Sequence, residues 1–348
     1  MPVPEGRRLA ILVPLTGGSG DVGQSMLKAA QLAVDGPGAP PVDSHDTGGR
    51  PEGAARAAQA ALGAGAGILL GPLTAGETAA VAPIARQAGV PVLAFTSDRA
   101  QAQPGVWTMG ITPAQQVRTL VRAVQADNKT RIAAVLPANA FGDALAQGLL
   151  EAAGEAGLPP PPIFRHPPNI AGVEAALKEA AGNPATTPPT DPPPVDALLL
   201  GISGDLLQQA IPLLGKYGLG TDRVRLLGTT LWAREAPRLS AIAGAWYAAP
   251  DPAMRRPFEQ RYAARFGAPP RDFASIAFDA AGAARAASTP NGFDVNALLR
   301  PDGFAGADGV FVLLPDGRVR RGLAVFEIGP GGSRVRQPGP RSLTAPGA

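Results

Sequence analysis

Short apolar runs alternate with helix-length segments along most of this chain, and no other feature limits its fold as strongly. Leu9 to Leu15, Gly67 to Leu70, Val90 to Phe95, Arg131 to Leu136, Ala197 to Gly201 and Val224 to Gly228 read as buried strands, with Pro41 to Ser44 a shorter one. Gln24 to Val34, Glu52 to Leu62, Thr78 to Gln87, Ala114 to Gln125, Gly142 to Ala156 and Asp205 to Lys216 read as the helices between them. Strands alternating with helices of ten to fifteen residues predict parallel sheets wrapped by helices. The order runs twice, once on each side of about residue 113, as 348 residues allow for two domains.

The last third departs from that pattern. Arg255 to Phe266 and Phe273 to Ala287 predict two successive helices. Gly309 to Leu314 and Leu323 to Ile328 predict the arms of a hairpin around Pro315-Asp316-Gly317, a turn-forming triplet. Asn183 to Pro194 is too rich in proline for a helix and predicts an exposed loop. The polar tail from Arg336 onward predicts loose attachment.

Composition excludes several functions. A chain 45% hydrophobic and 17% charged is globular, and no stretch reaches the roughly 20 apolar residues of a membrane span. There is no cysteine, which removes disulfides, thiolate nucleophiles and thiolate metal sites. The net charge is only +3, the basic residues are scattered and aromatics make up 5%, so no nucleic acid partner is expected. MPVPEGRR lacks the apolar core of a secretory signal, so any signal peptide or lipid anchor is absent from this chain.

The most specific local motif is Gly18-x-Gly20-x-x-Gly23, the spacing of a dinucleotide-binding turn, after a strand and at the start of a helix. Asp43 and Asp46 stand where a ribose-binding acid would be wanted. Against that reading, Pro14, Leu15, Thr16 and Gly17 separate the strand from the first glycine, whereas a pyrophosphate site has it at the strand's end. Gly63-x-Gly65-x-Gly67 follows a helix and precedes a strand, the wrong order for phosphate, and predicts a helix stop.

Four strand ends share one character. Thr16 and Ser19, then Thr74 and Ala75, then Thr96, Ser97 and Asp98, and later Ser203, put small hydroxyl residues at the carboxyl end of a strand and the start of a helix. Open α/β sheets bind ligands there through backbone N–H groups and hydroxyls. Each residue taken singly also suits an N-cap, but the recurrence predicts a hydroxyl-lined cleft. Asp98-Arg99 fits a cleft pair or a solvated helix start equally. Catalytic equipment is thin: His45 is expected at the surface beside Ser44, and neither a hydrolase elbow, a metalloprotease motif nor a phosphate-binding loop occurs. No catalytic residue, metal or cofactor is expected.

"ILVPLTGGSGDVGQSMLKAAQLAV", "ILLGPLTAGETAAVAPIARQAGVPVLAFTSDRA", "IAAVLPANAFGDALAQGL" and "LLLGISGDLLQQAIPLLGKYGL" together resemble type I periplasmic solute-binding proteins of the branched-chain amino-acid receptor group. The likeness covers about residues 9 to 330 and includes "GVFVLLPDGRVRRGLAVFEI". It implies an α/β fold of two Rossmann-like lobes with parallel sheets, joined by three crossovers and closing on a solute like a flytrap. The crossovers are expected near Thr112 to Gln115, Ala248 to Pro250 and Ala305 to Gly309. Residues 1–113 with 250–306 would form the first lobe, 114–249 with 307–335 the second, and 336–348 a tail. The resemblance adds Phe141, Thr230 and Trp232 to the cleft.

The same resemblance shows departures. Ala75 and Gly76 occupy the loop where amino-acid receptors offer a serine to the ligand carboxylate, and Ser97-Asp98-Arg99 replaces a small-small-Thr run. Thr229 and Thr230 lie in the window Gly228 to Trp232, where an acid for the ligand ammonium is expected. Pro72-Leu73 and the Ser-Asp-Arg run look more like a branch of lipoprotein activators of penicillin-binding proteins. Three functions follow: a periplasmic solute receptor of an ABC-type uptake system, an activator that contacts a peptidoglycan synthase, and, more remotely, an NAD-dependent enzyme. The expected partners are a small solute with an inner-membrane ABC permease, or the synthase, and the expected state is a monomer.

Overall fold

The computed structural model describes residues 7–186, 189 and 191–344. The first six residues, three residues of the Asn183 to Pro194 loop and the last four of the tail lie outside the described residues, with the expectations that fall on them.

Strand β1 (Arg8–Val13) is apolar and buried from Leu9 on. After it come α1 (Gly20–Ala33), β2 (Val42–Asp46), α2 (Pro51–Gly63), β3 (Ala66–Leu70), α3 (Ala75–Gln87), β4 (Val92–Ala94) and β5 (Val106–Thr108). These five strands form one parallel sheet in the order β2-β1-β3-β4-β5. Gly63 closes α2 and Gly65 turns with φ +83°, the helix stop expected of the second glycine cluster.

The second sheet repeats the plan. Helix α4 (Pro113–Ala126) leads into β6 (Ile132–Pro137), α5 (Ala140–Glu155), β7 (Ile163–His166), α6 (Ile170–Ala180), β8 (Ala197–Leu200), α7 (Gly204–Lys216), β9 (Arg225–Gly228), α8 (Trp232–Glu235) and β10 (Trp246–Ala249). Strands 7-6-8-9-10 stand in the same relative order as 2-1-3-4-5 of the first sheet, so the βα pattern read twice in the sequence is one topology used twice. β5, β7, α6 and β10 were not foreseen. β5 is three residues long, and β7, IFRH, is a half-exposed edge strand behind a run of prolines, so neither carries a hydrophobic pattern.

The chain then returns. Helices α9 (Pro252–Phe266) and α10 (Ala274–Ala286) precede a small hairpin, β11 (Ser288–Thr289) with β12 (Gly292–Phe293), and the short α11 (Val295–Leu298). α10 lies against α1, and Ile276, Ala280 and Ala284 join the first sheet's core beside Leu9, Ile11 and Met26. A second hairpin pairs β13 (Phe311–Leu313) with β14 (Val319–Arg321) across Pro315-Asp316-Gly317. The turn is where the sequence put it, but the second arm is Val319–Arg321. The predicted arm, Leu323 to Ile328, is instead β15 (Ala324–Gly329), which runs antiparallel to β10 and pairs with β16 (Gly332–Gln337).

That change moves a lobe boundary. Phe311, Leu313 and Val319 pack with Trp107 and Met109, and Trp107 Nε1 donates to the Leu314 carbonyl at 2.7 Å, so this hairpin belongs to the first sheet's core. Leu323 and Val325 pack in the second sheet's core. The third crossover is therefore at Gly322–Leu323, not Ala305 to Gly309, and the segment 307–321 leaves the second lobe. The first two crossovers run from Met109 to Thr112 and through Pro250–Asp251. The tail is also corrected. Gln337 ends a strand, Gly339 N donates to Asp251 Oδ2 at 2.9 Å, and Arg336 lies over the Trp246 ring, so 336–340 is packed onto the second lobe.

Candidate functional site

In an open sheet of this order, the chain leaves β1 and β3 in opposite directions, and a crevice opens beyond their carboxyl ends. The first sheet's switch point thus lies between the β1 end, Thr16 to Ser19, and the β3 end, Pro72 to Ala75. By the repeated topology the second lies between the β6 end, Asn139 to Phe141, and the β8 end, Gly201 to Ser203. Every strand end singled out in the sequence therefore falls at a switch point or on the strand next to it.

The hydroxyls there are of two kinds. Thr74 caps α3 in a capping box, its Oγ1 accepting from Glu77 N at 3.3 Å while Glu77 Oε2 accepts from Thr74 N at 3.0 Å. Thr96 is buried and accepts from Asp98 N at 3.0 Å, and exposed Asp98 accepts from Ala100 N at 3.0 Å. Thr230 donates from Oγ1 to the Ala248 carbonyl and from its backbone to Gln116 Oε1, both at 2.8 Å. Thr16 donates to Asp46 Oδ2 at 2.6 Å. These four hold their own loops. Ser19 and Ser203, the N-cap residues of α1 and α7, make no side-chain cap hydrogen bond. Ser97 is exposed after β4, Ala75 opens α3, and Phe141 is half-buried at the start of α5.

Trp232 is not a cleft residue. It is 0% exposed, its ring lies across Gly228, and Nε1 donates to the Ile202 carbonyl at 2.9 Å. An indole following a strand end has two ways to turn, and here the apolar core of the second lobe takes it.

The dinucleotide reading also fails on geometry. A Cβ on Gly23 would lie 1.8 Å from the Pro14 carbonyl oxygen, so this glycine lets α1 pack tightly on the strand end and offers no room for pyrophosphate. Asp43 forms an ion pair with Arg8, and Asp46 accepts from Leu15 N, Thr16 and Gly48 N, so neither acid is left for a ribose. The Thr16 hydrogen bond, helped by the backbone donors, lowers the Asp46 pKa. Gly23→Ala is expected to lose about 1–3 kcal/mol of stability through overpacking. Urea denaturation checks it, and an unchanged midpoint would contradict the close approach.

His45 is only half at the surface. It lines a groove of about 550 Å³ with Thr16, Asp46 and Arg56, and burial lowers its pKa.

One functional candidate escaped the sequence. Glu235, at the end of α8, accepts from Gly204 N at 2.8 Å and so places a carboxylate at the N-terminus of α7, beside Ser203. Glu235 lies three residues past the Gly228 to Trp232 window, brought back to the β8 end by one turn of α8.

The sequence pattern of the periplasmic binding protein family matches residues 7–333. The chain belongs to that family. Its members bind solutes and are not enzymes, and their location is periplasmic. No curated protein matches this binding protein. Among solved structures it is similar to a branched-chain amino acid ABC transporter protein of Rhodospirillum rubrum, at 22% identity over 94% of this chain and 99% of that one, with a TM-score of 0.76. A solute-binding protein of R. palustris, solved in complex with benzoate, is 19% identical over 96% and 97% of the two chains, with a TM-score of 0.59. LpoA of Haemophilus influenzae is 16% identical with a TM-score of 0.73, and the likeness spans 96% of this chain but 59% of LpoA. At these identities the likeness is one of fold, the two-lobed α/β fold expected from the sequence. Among the described residues no helix of this binding protein is long and apolar enough to cross a membrane.

Among the described residues, two ion pairs join the lobes outside the crossovers. Arg99, after β4, reaches Glu151 on α5 at 2.6 Å, and Arg234 on α8 reaches Asp272, between α9 and α10, at 2.5 Å. Burial pushes Glu151 up, but the Arg99 hydrogen bond and charge outweigh it and leave its pKa lowered.

Proposed function

We propose that this binding protein is the solute receptor of an ABC-type uptake system and takes a small amino-acid-like or carboxylate solute between its lobes. The observation that carries this reading is the pair of N-cap serines, Ser19 and Ser203, at the switch points of two sheets with the same strand order, with hydroxyls unspent on their own helices. In this reading Ser19, Ser97 and the backbone at α1 meet the solute's carboxylate, since a helix N-terminus favours negative charge. Glu235 and Ser203 meet a donor such as an ammonium, and Phe141 covers the apolar part. Thr74, Ala75, Thr96, Asp98, Thr16 and Thr230 shape the loops that present these groups.

A second reading, the activator that contacts a peptidoglycan synthase, draws on the ion pairs Arg99–Glu151 and Arg234–Asp272, which join the lobes through the chain's own side chains. Both pairs are solvent-accessible, and such pairs contribute about 0–1 kcal/mol each, too little to fix the lobes as a scaffold. That weakness favours the receptor.

A thermal-denaturation screen against amino acids, small carboxylates, aromatic acids, muropeptides and NAD tests the reading. A solute at a hundred times its Kd is expected to add about 2.7 kcal/mol, several degrees in Tm. A saturable shift within one class of acids or amino acids supports the receptor, and a screen with no shift would move the function to a protein partner.

A further inference from the structure

A cavity of about 200 Å³ sits at the lobe junction, and Arg99, half of the Asp98-Arg99 pair weighed for the cleft, is one of its lining residues. Its walls come from both lobes: Arg99 and Thr108 from the first sheet, Arg318 and Arg320 from the β13–β14 hairpin, and Ala114, Gln115, Arg118, Glu151 and Glu155 from α4 and α5. Ala114 and Gln115 are in the first turn of α4, where the helix dipole presents its positive end.

Charge around the cavity is unbalanced. Arg99 pairs with Glu151, Arg118 with Glu155 and Arg318 with Asp316. Arg320 is exposed, Arg122 stands near both Arg118 and Arg320, and neither forms an ion pair among the described residues. Burial first, and Arg118 second, lower the Arg122 pKa, with Glu155 opposing them. Thr108 supplies an independent sign. It is 1% exposed and lines the cavity, its backbone donates to the Gly317 carbonyl, and its hydroxyl has no hydrogen-bond partner among the described residues.

We propose that this cavity is a second site, which binds a compact divalent oxyanion of phosphate size through Arg118, Arg320, Thr108 and the first turn of α4. An anion there neutralises the surplus positive charge and gives the Thr108 hydroxyl an acceptor. Because Arg99 and Thr108 belong to one lobe and Arg118 to the other, occupancy also holds the lobes together. The oxyanion is thus linked to solute binding, and each raises the other's affinity.

Thermal denaturation in inorganic phosphate, against sodium chloride at the same ionic strength, tests the site on the wild type, Arg320→Gln and the distant control Arg50→Gln. Phosphate is expected to raise the wild-type Tm saturably above the chloride value. Arg320→Gln is expected to bind phosphate about tenfold more weakly, the effect of one charge-assisted hydrogen bond. In chloride Arg320→Gln should melt no lower than the wild type, because like-charge repulsion is relieved; this also confirms that it folds. Arg50→Gln should behave as the wild type. Equal Tm in phosphate and chloride, or a phosphate shift undiminished in Arg320→Gln, would overturn the proposal.

Discussion

Arg321→Met is expected to lose about 3–5 kcal/mol of stability, the cost of leaving a buried charge without its partner. Arg321 and Asp279 are both 0% exposed in their side chains and meet at 2.6 Å. Asp308, 1% exposed, sits beside them, accepts from Ser275 Oγ at 2.8 Å and pairs with Arg255. Arg321 also reaches the Met109 carbonyl at 3.4 Å and lies over the Phe311 ring. One guanidinium therefore ties α10, the second hairpin and the start of the first crossover, just before the chain crosses at Gly322–Leu323. Without it, two carboxylates remain in a dry site. The double variant Asp279→Asn/Arg321→Met should regain most of the loss, because Asn keeps an acceptor for Ala307 N without the charge. Urea denaturation of both variants checks this, and a single-variant loss below about 1 kcal/mol would contradict the pivot.

The effect has a pH signature. Burial raises the Asp279 pKa, Arg321 opposes it and Asp308 adds to it, and the carboxyl is pushed up to about 6 from an ordinary 3.8. A folded-state pKa above the unfolded value means that the unfolded chain binds fewer protons in this window. Its contribution to stability is complete below 3.8 and is lost as pH rises through about 6. Protonated Asp279 no longer needs the guanidinium, so the loss in Arg321→Met should shrink as pH falls below 6.

Trp232→Ala is expected to lose about 3–5 kcal/mol, the range for removing a buried aromatic. The indole packs among Leu200, Ile202, Leu207 and Leu239 in the second lobe's core, and its loss leaves a cavity between β9 and α7. Trp232→Phe retains much of the packing but strips the Ile202 carbonyl of its donor, and should fall between the wild type and the alanine variant. Since the ring does not open onto the cleft, solute affinity in the folded Trp232→Phe protein should match the wild type. A large loss of affinity with unchanged stability would return Trp232 to the binding site.

What was legible in the sequence is what local pattern encodes. Leu9 to Val13, Ile132 to Leu136 and Ala197 to Leu200 are apolar without a break because parallel strands are covered on both faces, and this made the twice-run alternation readable. Two strands of the second sheet escaped: Ile163–His166 is a half-exposed edge, and Trp246–Ala249 passed for a crossover because only its partners, β9 and β15, make it a strand. The glycine turn matched a phosphate motif because close helix packing and phosphate binding both require a missing Cβ, and only the 1.8 Å approach to Pro14 separates them. At the candidate site the strand-end hydroxyls were visible, but which were spent on caps was not. Thr74 and Thr96 are satisfied within three residues, whereas Glu235 reaches Gly204 across 31 positions. The Arg321–Asp279 pair, 42 positions apart, leaves no trace in local sequence.

The most direct measurement is a calorimetric titration of the compound with the strongest thermal shift into the wild type and into Ser19→Ala/Ser203→Ala. Both serines are N-caps that make no side-chain cap bond, so the variant should remain as stable as the wild type without solute. Each hydroxyl that meets a charged solute group contributes about 1.5–3 kcal/mol, so affinity should fall at least about a hundredfold. Unchanged affinity in the folded variant would contradict a solute held between the two switch points.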